Sequence, residues 1–302
     1  MYSNVDHILL TRFNLPTMGF ERFMRAKEGW LRERIALFER YCIPSVRSQT
    51  SQTFHWVIYF DPESPEWLKQ RIQSHAENKL YVPFFRTSVT ETELLEDICT
   101  LTTGKRSRLI TSNLDNDDAL AVDFIERLQK SAPRQGKTAV YLAHGLIKSD
   151  HHLYLRLDRT NAFSSVACDW TSPSTCWSDW HTLLGKSMRT LELYDDPAWM
   201  QIIHGLNVSN RVRGRLVLPS RFTHLFPGLL DDVRTPATAE LAIDVFVARP
   251  RRFIRDYGRI IVKNFAIRLL GKESPDKVRI FLSSLRGLSK QEFNEASQWG
   301  PE

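Results

Sequence analysis

The amino-acid sequence predicts an α/β domain with a mostly parallel central sheet. Through the first half of the chain, short apolar segments rich in aromatic and β-branched residues alternate with longer segments of helical periodicity, which is the pattern of βαβ units. The length of 302 residues is enough for one large domain, or for a core domain with an appendage. The hydrophobic fraction of 42% and the charged fraction of 25% are typical of a globular protein and exclude a disordered or fibrous chain.

The first half is predicted to alternate strands and helices. Dense aromatic and β-branched runs indicate buried strands, and apolar positions that repeat every three or four residues indicate helices. Pro44 is expected to end the first helix. In a sheet of this kind the ligand binds at the carboxyl ends of the strands. The predicted strands are residues 6–12, 54–60, 80–85 and 108–111, and the predicted helices are residues 19–41, 67–75, 90–100 and 119–130.

The second half has a different character. Strands at residues 139–147 and 152–157 are predicted to form a hairpin, and a further strand is predicted at residues 161–168. Residues 169–180 are rich in Ser, Thr, Trp and Pro and are predicted to form a long loop. A loop of this length in a compact domain is more often functional than structural. After Pro219 the pattern becomes helical again.

The positive charge is concentrated near the C-terminus. The net charge is +6, but residues 249–290 contain twelve Lys or Arg and only three Asp or Glu, so the rest of the chain is net acidic. Residues 251–270 interleave basic and apolar side chains, which predicts either a helix on an anionic membrane surface or helices that cover the domain and expose their charges to water. Nucleic acid is not an expected partner, because the aromatic residues form no recognisable RNA-binding motif. We predict an α/β domain over residues 1–218 and a basic helical extension over residues 219–302.

The cysteines and the apolar segments favour a cytoplasmic location, with peripheral contact at the inner face of the membrane through the basic extension. No apolar run approaches the roughly 20 residues that cross a bilayer. Residues 1–6 lack the charged and apolar regions of a signal peptide. The four cysteines lack the C-x-x-C spacing of a zinc site and do not form a disulfide framework. They are Cys42, Cys99, Cys168 and Cys176.

The strongest chemical signal is an acidic cluster formed by Asp115, Asn116, Asp117 and Asp118, between a predicted strand and a predicted helix. Three carboxylates within four residues repel one another unless a cation compensates them. Such oxygen ligands suit Mg²⁺ or Mn²⁺, which proteins hold through one or two carboxylates together with the phosphates of a substrate. The alternative is that Asp117 and Asp118 only cap the helix predicted at residue 119. That alternative leaves Asp115 unexplained.

The acidic cluster resembles the D-x-D region of glycosyltransferases with the GT-A fold. Three blocks together resemble the rhamnosyltransferase family of bacteria, and they occur in the expected order over roughly the first 215 residues. The resemblance implies a GT-A-like domain that binds a nucleotide sugar. The blocks are residues 9–14 (Leu-Leu-Thr-Arg-Phe-Asn), residues 111–120 with Arg108 upstream, and residues 199–210, which begin Trp-Met-Gln-Ile-Ile-His.

The resemblance also implies residues that hold the nucleotide. In GT-A enzymes the end of the first strand and the following loop hold the base, which here implies Thr11, Arg12 and Phe13. The end of the next buried strand contacts the base or ribose, which implies Asp61. From the residues alone, Arg12 is equally explained as a solvated strand end, and Asp61 as a turn residue before a proline.

A metal shell is implied in the same way. The first Asp of the D-x-D motif faces the ribose and the metal and the second binds the metal, which here implies Asp115 and Asp117, with Mn²⁺ or Mg²⁺ as the cofactor. Many such enzymes complete the shell with a distant His, and His204 is the candidate, with His181 as a second one. His204 is otherwise explained as a His at the C-terminus of a helix.

The implied reaction transfers a sugar, rhamnose by the family resemblance, from a nucleoside-diphosphate donor to a glycan or glycolipid acceptor. Arg108 is expected to offset the charge of the leaving diphosphate, because Arg presents a planar fork suited to phosphate. An inverting enzyme needs a base that takes the acceptor proton. Asp179 in the Trp-rich loop is favoured for this role over Glu192, Asp195 and Asp196.

Two other functions fit the same residues. A metal-dependent nucleotide-sugar hydrolase or phosphotransferase would use the acidic cluster without an acceptor. A non-catalytic carbohydrate-binding protein would bind sugar without metal, and the intact pair of Asp115 and Asp117 argues against it. In the long loop, Trp170, Trp177 and Trp180 are expected either to stack on a sugar face or to pack against the core.

Overall fold

Two β-sheets and their flanking helices make up the fold in a computed structural model that describes residues 5–16, 29–102, 107–204 and 211–255. The strands in chain order are β1 (Val5–Arg12), β2 (His55–Phe60), β3 (Val82–Phe85), β4 (Arg108–Asn113), β5 (Ala119–Leu120), β6 (Thr138–Leu142), β7 (His144–Ser149), β8 (His152–Leu157), β9 (Ser165–Asp169), β10 (Arg189–Leu193), β11 (Trp199–Ile203) and β12 (Arg215–Leu216).

The α-helices are short and connect the strands of the first half. Two one-turn 3₁₀ helices, Leu184–Lys186 and Pro219–Arg221, and two π-helical segments, Phe38–Cys42 and Asp244–Ala248, add to them. The start of the helix predicted at residues 19–41 lies outside the described residues. The α-helices are α1 (Trp30–Leu37), α2 (Ile43–Arg47), α3 (Glu66–Glu77), α4 (Glu91–Leu101), α5 (Phe124–Ser131) and α6 (Thr238–Ile243).

The larger sheet has seven strands in the order β3-β2-β1-β4-β9-β6-β10. Among these strands only β9 runs antiparallel to its neighbours. The other six therefore end at the same edge of the sheet, which we call the carboxyl edge. The second sheet has the order β5-β11-β7-β8-β12 and is mostly antiparallel. The predicted fold class, an α/β domain with a mostly parallel central sheet, is confirmed.

Both faces of the seven-stranded sheet are buried, which explains why its central strands are continuous apolar runs. Side chains alternate between two apolar clusters, because successive residues of a strand point to opposite faces. In β1, Leu9 belongs to one cluster, and Ile8 and Leu10 belong to the other. In β2 the same alternation separates Trp56, Ile58 and Phe60 from Val57 and Tyr59.

The chain passes from the first sheet to the second at Ala143. The single strand predicted at residues 139–147 is wrong, because β6 belongs to the seven-stranded sheet and β7 to the other. The backbone N–H of Ala143 donates to Leu193 O at 2.8 Å and extends the pairing of β6 with β10, and its C=O accepts from Asp158 N at 2.8 Å and extends the pairing of β7 with β8. The predicted hairpin of β7 and β8 is confirmed.

Two predicted helix boundaries are wrong. The helix predicted from residue 119 begins only at Phe124, because residues 119–120 pair with β11 as β5. Pro44 does not end the first helix, which continues to Arg47. The π-helical turn before it changes the hydrogen-bond spacing, so that proline falls in the first turn of α2, where its missing N–H is tolerated.

The second sheet carries the apolar segment of residues 217–233 on its face. Buried Lys148 holds this segment: its ammonium group donates to Tyr41 Oη at 3.0 Å and to Leu229 O at 3.2 Å, and it pairs with Asp232. The compact unit that contains both sheets runs to Val245, so the predicted boundary at residue 218 lies inside it. The remaining unit begins at Phe246 and is described only to residue 255. Over the described helices, none is both long enough and apolar enough to span a membrane.

Gly145 in β7 is predicted to be required for the packing of Trp199. A Cβ atom at this glycine would lie 2.1 Å from the indole ring, which stacks on Phe163 and donates to Leu142 O at 2.9 Å. We expect Gly145→Ala to lower the free energy of unfolding by about 1–3 kcal/mol, as overpacking does. Urea denaturation measures this loss, and the loss should shrink in a Trp199→Phe background. Equal midpoints for the wild type and Gly145→Ala would contradict the prediction.

His7 in β1 makes the stability of the fold depend on pH. Burial lowers the pKa of His7 to about 3, and its Nε2 atom lies 2.9 Å from Ser112 Oγ. In the unfolded chain a histidine titrates near pH ~6.5, so the unfolded state takes up a proton that the folded state refuses. Between pH 7 and 5 we expect His7 to remove about 2 kcal/mol of stability as the pH falls.

A His7→Gln variant keeps a polar group at this position and cannot titrate. Urea denaturation at pH 7 and at pH 5 measures the free energy of unfolding of both proteins. Between these pH values the wild type should lose about 2 kcal/mol more than the variant. Parallel pH dependences would show that His7 is not the group responsible.

Candidate active site

The acidic cluster lies where the chain leaves one sheet and enters the other. β4 ends at Asn113 on the carboxyl edge, and β5 of the second sheet begins at Ala119. The backbone of Leu114 donates to Leu10 O at 2.9 Å, which holds the start of the cluster beside the end of β1. The cluster therefore occupies the edge at which ligands of parallel sheets bind.

Asn116 ties the cluster to the loop after β1. Its amide nitrogen donates to Arg12 O at 3.1 Å and to Phe13 O at 2.6 Å. Its amide oxygen accepts from Arg34 Nη1 at 3.1 Å. Because every polar atom of this side chain is used, the two loops and α1 keep a defined arrangement around the cluster.

Asp117 is the most strongly held carboxylate of the site. Its Oδ2 atom lies 2.6 Å from Arg34 Nη1 and 3.0 Å from His204 Nε2, at the end of β11. Burial raises the pKa of Asp117, but the hydrogen bond from His204 and the charge of Arg34 outweigh that effect and hold the pKa below its usual value. Asp117 is therefore ionised, and its Oδ2 atom is shared by the guanidinium of Arg34 and the imidazole of His204.

Asp118 has a structural role. Its Oδ1 atom accepts from Ile202 N at 2.9 Å and so joins the cluster to β11. Burial and the charges of Asp117 and Asp115 raise the pKa of Asp118 well above its usual range. The alternative that Asp117 and Asp118 cap a helix is wrong, because α5 starts only after Asp123.

Asp115 is the accessible carboxylate of the cluster. Burial by the surrounding chain and the charge of Asp117 raise the pKa of Asp115, against the Asn113 hydrogen bond and the charges of His181 and Arg12. Its side chain is nevertheless exposed to solvent. Asp115 therefore offers a solvent-accessible carboxylate at the edge of the sheet where ligands of parallel sheets bind.

The long loop predicted at residues 169–180 is anchored beside Asp115. Trp177 donates from Nε1 to Asn113 Oδ1 at 2.7 Å, and the guanidinium of Arg12 lies 4.0 Å from the centroid of its ring. Asn113 also donates to Asp115 Oδ1 at 3.2 Å, so the indole is linked to the accessible carboxylate through one side chain. The same loop continues to His181, whose charge acts on Asp115.

The structure brings some of the predicted residues together. Asp115, Asp117 and His204 lie in one cluster, and Arg12 lies beside them. The helix-terminus explanation of His204 is wrong, because this residue follows a strand. Asp61 follows β2 on the same carboxyl edge, where its Oδ1 atom accepts from Glu63 N at 2.8 Å. The remainder of the third sequence block, residues 205–210, lies outside the described residues.

Three predicted residues are not available to a ligand at this site. Arg108 begins β4 at the opposite end of the strand, and its guanidinium donates to Pro133 O, Gly136 O and Asp169. Thr11 is buried and accepts from Trp56 Nε1 at 3.0 Å. The ring of Phe13 is buried in the core between Phe38 and Phe60. For these side chains, the predicted contacts with diphosphate or base are wrong.

Sequence patterns missed Arg34, Asn113 and the bridging role of Trp177. Arg34 belongs to α1, whose periodicity reveals its buried face but not which carboxylate that face meets. Asp179 lies in the anchored loop, exposed, with its carboxylate accepting from Trp180 N at 2.7 Å. Its role as base stays a prediction.

Comparison with known protein families identifies the family of this chain. The acidic cluster lies at the carboxyl edge of a mostly parallel sheet, and the family model that matches the chain is one of glycosyltransferases. The chain belongs to the family described as "Putative rhamnosyl transferase", whose model matches residues 6–216. No curated protein sequence matches the chain significantly.

Solved structures give only remote likenesses. Residues 1–349 of TarS from S. aureus, in complex with UDP, share 8% identity over 66% of this chain and 60% of that chain, with a TM-score of 0.36. A "putative nucleotide-diphospho-sugar transferase" from Desulfovibrio desulfuricans G20 shares 7% identity over 65% of this chain and 80% of that chain, with a TM-score of 0.34. The chain spans 37% of a longer TarS structure. At these TM-scores, the likenesses define no activity for this chain.

The ion pair of Arg34 and Asp117 is predicted to be strongly coupled. Both side chains are largely buried, at 14% and 9% exposure, so neither charge is compensated by water when the other is removed. In metal-free buffer, a double-mutant cycle of Arg34→Gln and Asp117→Asn should give a coupling energy of about 1–3 kcal/mol. Urea denaturation of the four proteins measures it.

The exposed pair of Arg234 and Glu240 is a matched control, because its N···O distance of 2.7 Å is nearly the same as the 2.6 Å of Arg34 and Asp117. Solvent screens that pair, so the cycle of Arg234→Gln and Glu240→Gln should show a much smaller coupling. Additive effects of the Arg34 and Asp117 substitutions would contradict the prediction.

Proposed function

We propose that this protein transfers a glycosyl group from a nucleoside-diphosphate sugar to a hydroxyl group of a glycan or glycolipid. The observation that supports this most is that the three aspartates of the acidic cluster have three different environments. Asp115 is accessible to solvent, Asp117 is held ionised by Arg34 and His204, and Asp118 fastens the cluster to the second sheet. A helix cap or a purely structural turn does not need this arrangement.

Mn²⁺ or Mg²⁺ fits the donor set of the site as a cation shared with the substrate. Asp115 and Asp117 offer carboxylate oxygens and His204 offers an imidazole nitrogen, which are ligands that these ions accept. Within the described residues, no group of three or more His, Cys, Asp or Glu side chains is arranged to hold a metal. We propose that the phosphates of the donor complete the shell, as they do for cations that proteins hold through one or two carboxylates. When bound, such a cation stabilises the charge of the leaving diphosphate.

Arg34 is the residue that we propose for the diphosphate, in place of Arg108. Its guanidinium already reaches Asp117 and Asn116 at the carboxyl edge. A planar fork at this point presents paired donors to phosphate oxygens and offsets the charge that develops as the donor bond breaks. Arg12 lies on the other side of the cluster, where its stacking on Trp177 leaves the guanidinium next to Asp115.

The transfer itself needs a displacement at the anomeric carbon. The acceptor oxygen forms the new bond, the bond to the diphosphate oxygen breaks, and the acceptor proton passes to a base. We retain Asp179 as that base for an inverting reaction, because its loop is tied to the site through Trp177 and His181.

Peripheral contact with a membrane belongs to the same proposal, because a lipid-linked acceptor is presented there. In the described part of the basic segment, Phe253 and Ile254 are 72% and 71% exposed beside three arginines. Exposed apolar side chains next to cations are suited to an anionic lipid surface. Residues 256–302 lie outside the described part of the chain.

The test is a thermal-shift panel of nucleoside diphosphates and nucleotide sugars, with Mn²⁺ or with EDTA. A ligand at a hundred times its Kd stabilises a protein by about 2.7 kcal/mol, so one base should raise the Tm of the wild type in Mn²⁺. Asp117→Asn should lose this shift, because it removes the charge that holds the cation. Asp150→Asn, in the exposed turn between β7 and β8, should keep it.

Two outcomes would contradict the proposal. No shift with any nucleotide in Mn²⁺ would exclude the donor site, and an equal shift in EDTA would exclude the shared cation. Release of free sugar from the stabilising donor, unchanged by added glycans, would instead indicate a hydrolase.

A further inference from the structure

Two large side chains on the carboxyl edge are unusually exposed. Trp180 of the long loop is 74% exposed, and Tyr194, directly after β10, is 49% exposed. The other two tryptophans of the loop contact neighbouring side chains. Trp170 donates to Asp6 Oδ2 at 2.9 Å, and Trp177 donates to Asn113 Oδ1 while the guanidinium of Arg12 lies over its ring. The loop therefore presents one indole face to solvent while its neighbours are fixed.

Contacts link the residue after Trp180 to the segment that packs against Tyr194. Next to Trp180, the Nδ1 atom of His181 donates to Thr160 O at 2.5 Å. The preceding residue, Arg159, has its guanidinium 5.8 Å from the centroid of the Tyr194 ring. Arg159 Nε also lies 3.7 Å from Glu192 Oε2. We call Trp180, Arg159, Tyr194 and Glu192 the aromatic shelf.

The aromatic shelf starts beside the acidic cluster and leads away from the donor side. His181 acts electrostatically on Asp115, and its backbone carbonyl accepts from the hydroxyl of Tyr141 in β6. Tyr194 follows β10, three strands away from β4 in the sheet, which is about 14 Å at the usual strand spacing. β1 and β2, whose ends are the donor side of the proposed function, lie in the opposite direction.

The chemistry of the shelf suits a saccharide. A sugar ring has apolar C–H faces and a rim of hydroxyl groups. Its face covers an aromatic ring and removes apolar surface from water, while the rim needs hydrogen-bond partners. Glu192, whose Oε2 atom accepts from the Tyr194 hydroxyl, offers its other carboxylate oxygen as an acceptor, and Arg159 supplies donors beside the Tyr194 ring. A long peptide or nucleic-acid surface would instead need a larger apolar or basic area than this pair of charges provides.

We propose that the aromatic shelf binds the acceptor, and that the acceptor is itself a saccharide whose ring stacks on Trp180. This inference rests on the proposed function, because it names the substrate class on the acceptor side of that site. It also assigns Trp180 and Tyr194 to acceptor recognition and leaves the nucleotide to the residues around Asp115 and Asp117.

Saccharide binding can be measured without the reaction. Saturation-transfer NMR with methyl glycosides and trisaccharides of common hexoses and deoxyhexoses, with diamagnetic Mg²⁺ and the stabilising nucleoside diphosphate present, should give signals for at least one sugar. Trp180→Ala should weaken that binding at least tenfold, and Tyr194→Ala should weaken it by a smaller factor. Trp180→Phe should restore part of the affinity because it restores a ring.

Phe85→Ala is the matched control. Phe85 is 43% exposed at the end of β3, on the far side of the same edge, so its removal should leave saccharide binding unchanged. In turnover assays, Trp180→Ala should raise the acceptor KM at least tenfold and change the donor KM less than twofold. A variant that loses binding because it unfolds would also show a lowered Tm. Trp180→Phe distinguishes the two causes, because it keeps a ring and should recover part of the saccharide affinity.

The inference and the proposed function fail differently. If nucleoside diphosphates still stabilise the protein but no saccharide binds, or binding is equal in Trp180→Ala, the shelf is not the acceptor site. If Trp180→Ala abolishes the nucleotide shift, the indole stacks on the donor base, which also overturns the inference. Absence of any nucleotide shift in the wild type overturns the proposed function itself.

Discussion

The structure around the carboxyl edge depends on how the chain compensates three neighbouring carboxylates. The negative charge of each carboxylate is accommodated in a different way. Asp117 is paired with Arg34 at 2.6 Å, Asp118 accepts a backbone hydrogen bond from β11, and Asp115 remains accessible. Mutual repulsion drives this division, because the charge on Asp117 raises the pKa of both neighbours. The same contacts that hold the negative charge also join the two sheets, so charge compensation and architecture cannot be separated here.

This compensation collects distant parts of the chain into one site. Arg34 comes from α1, the aspartates from the connection between β4 and β5, and His204 from the end of β11. The long loop adds a fourth segment through the hydrogen bond of Trp177 to Asn113. In the function that we propose, the first segments hold the donor, and the loop with the end of β10 receives the acceptor. In this proposal, the two sides of one edge serve two different substrates.

Particular elements show where local patterns were sufficient and where they were not. The apolar run of β2 was found because both faces of a central strand are buried, and such a strand has no polar alternation to blur it. The helix predicted at residue 119 was wrong because β5 pairs with β11, and this tertiary pairing overrides local helix propensity. The segment around Ala143 has the pattern of one strand, since nothing local marks the change of sheet.

The sequence by itself determined the class of fold, the position of the acidic cluster after a strand, and the family resemblance, because each depends on patterns within short segments and on the order of those segments. Only the tertiary structure decided which aspartate is accessible, that Arg34 and not Arg108 faces the cluster, and that Thr11 and Phe13 are buried. Those outcomes depend on contacts between residues that are distant along the chain, 45 positions for Thr11 with Trp56, 82 for Arg34 with Asn116 and 87 for His204 with Asp117. Periodicity shows that a side chain is buried or exposed, but the partner that it meets is set by how the sheets and helices pack.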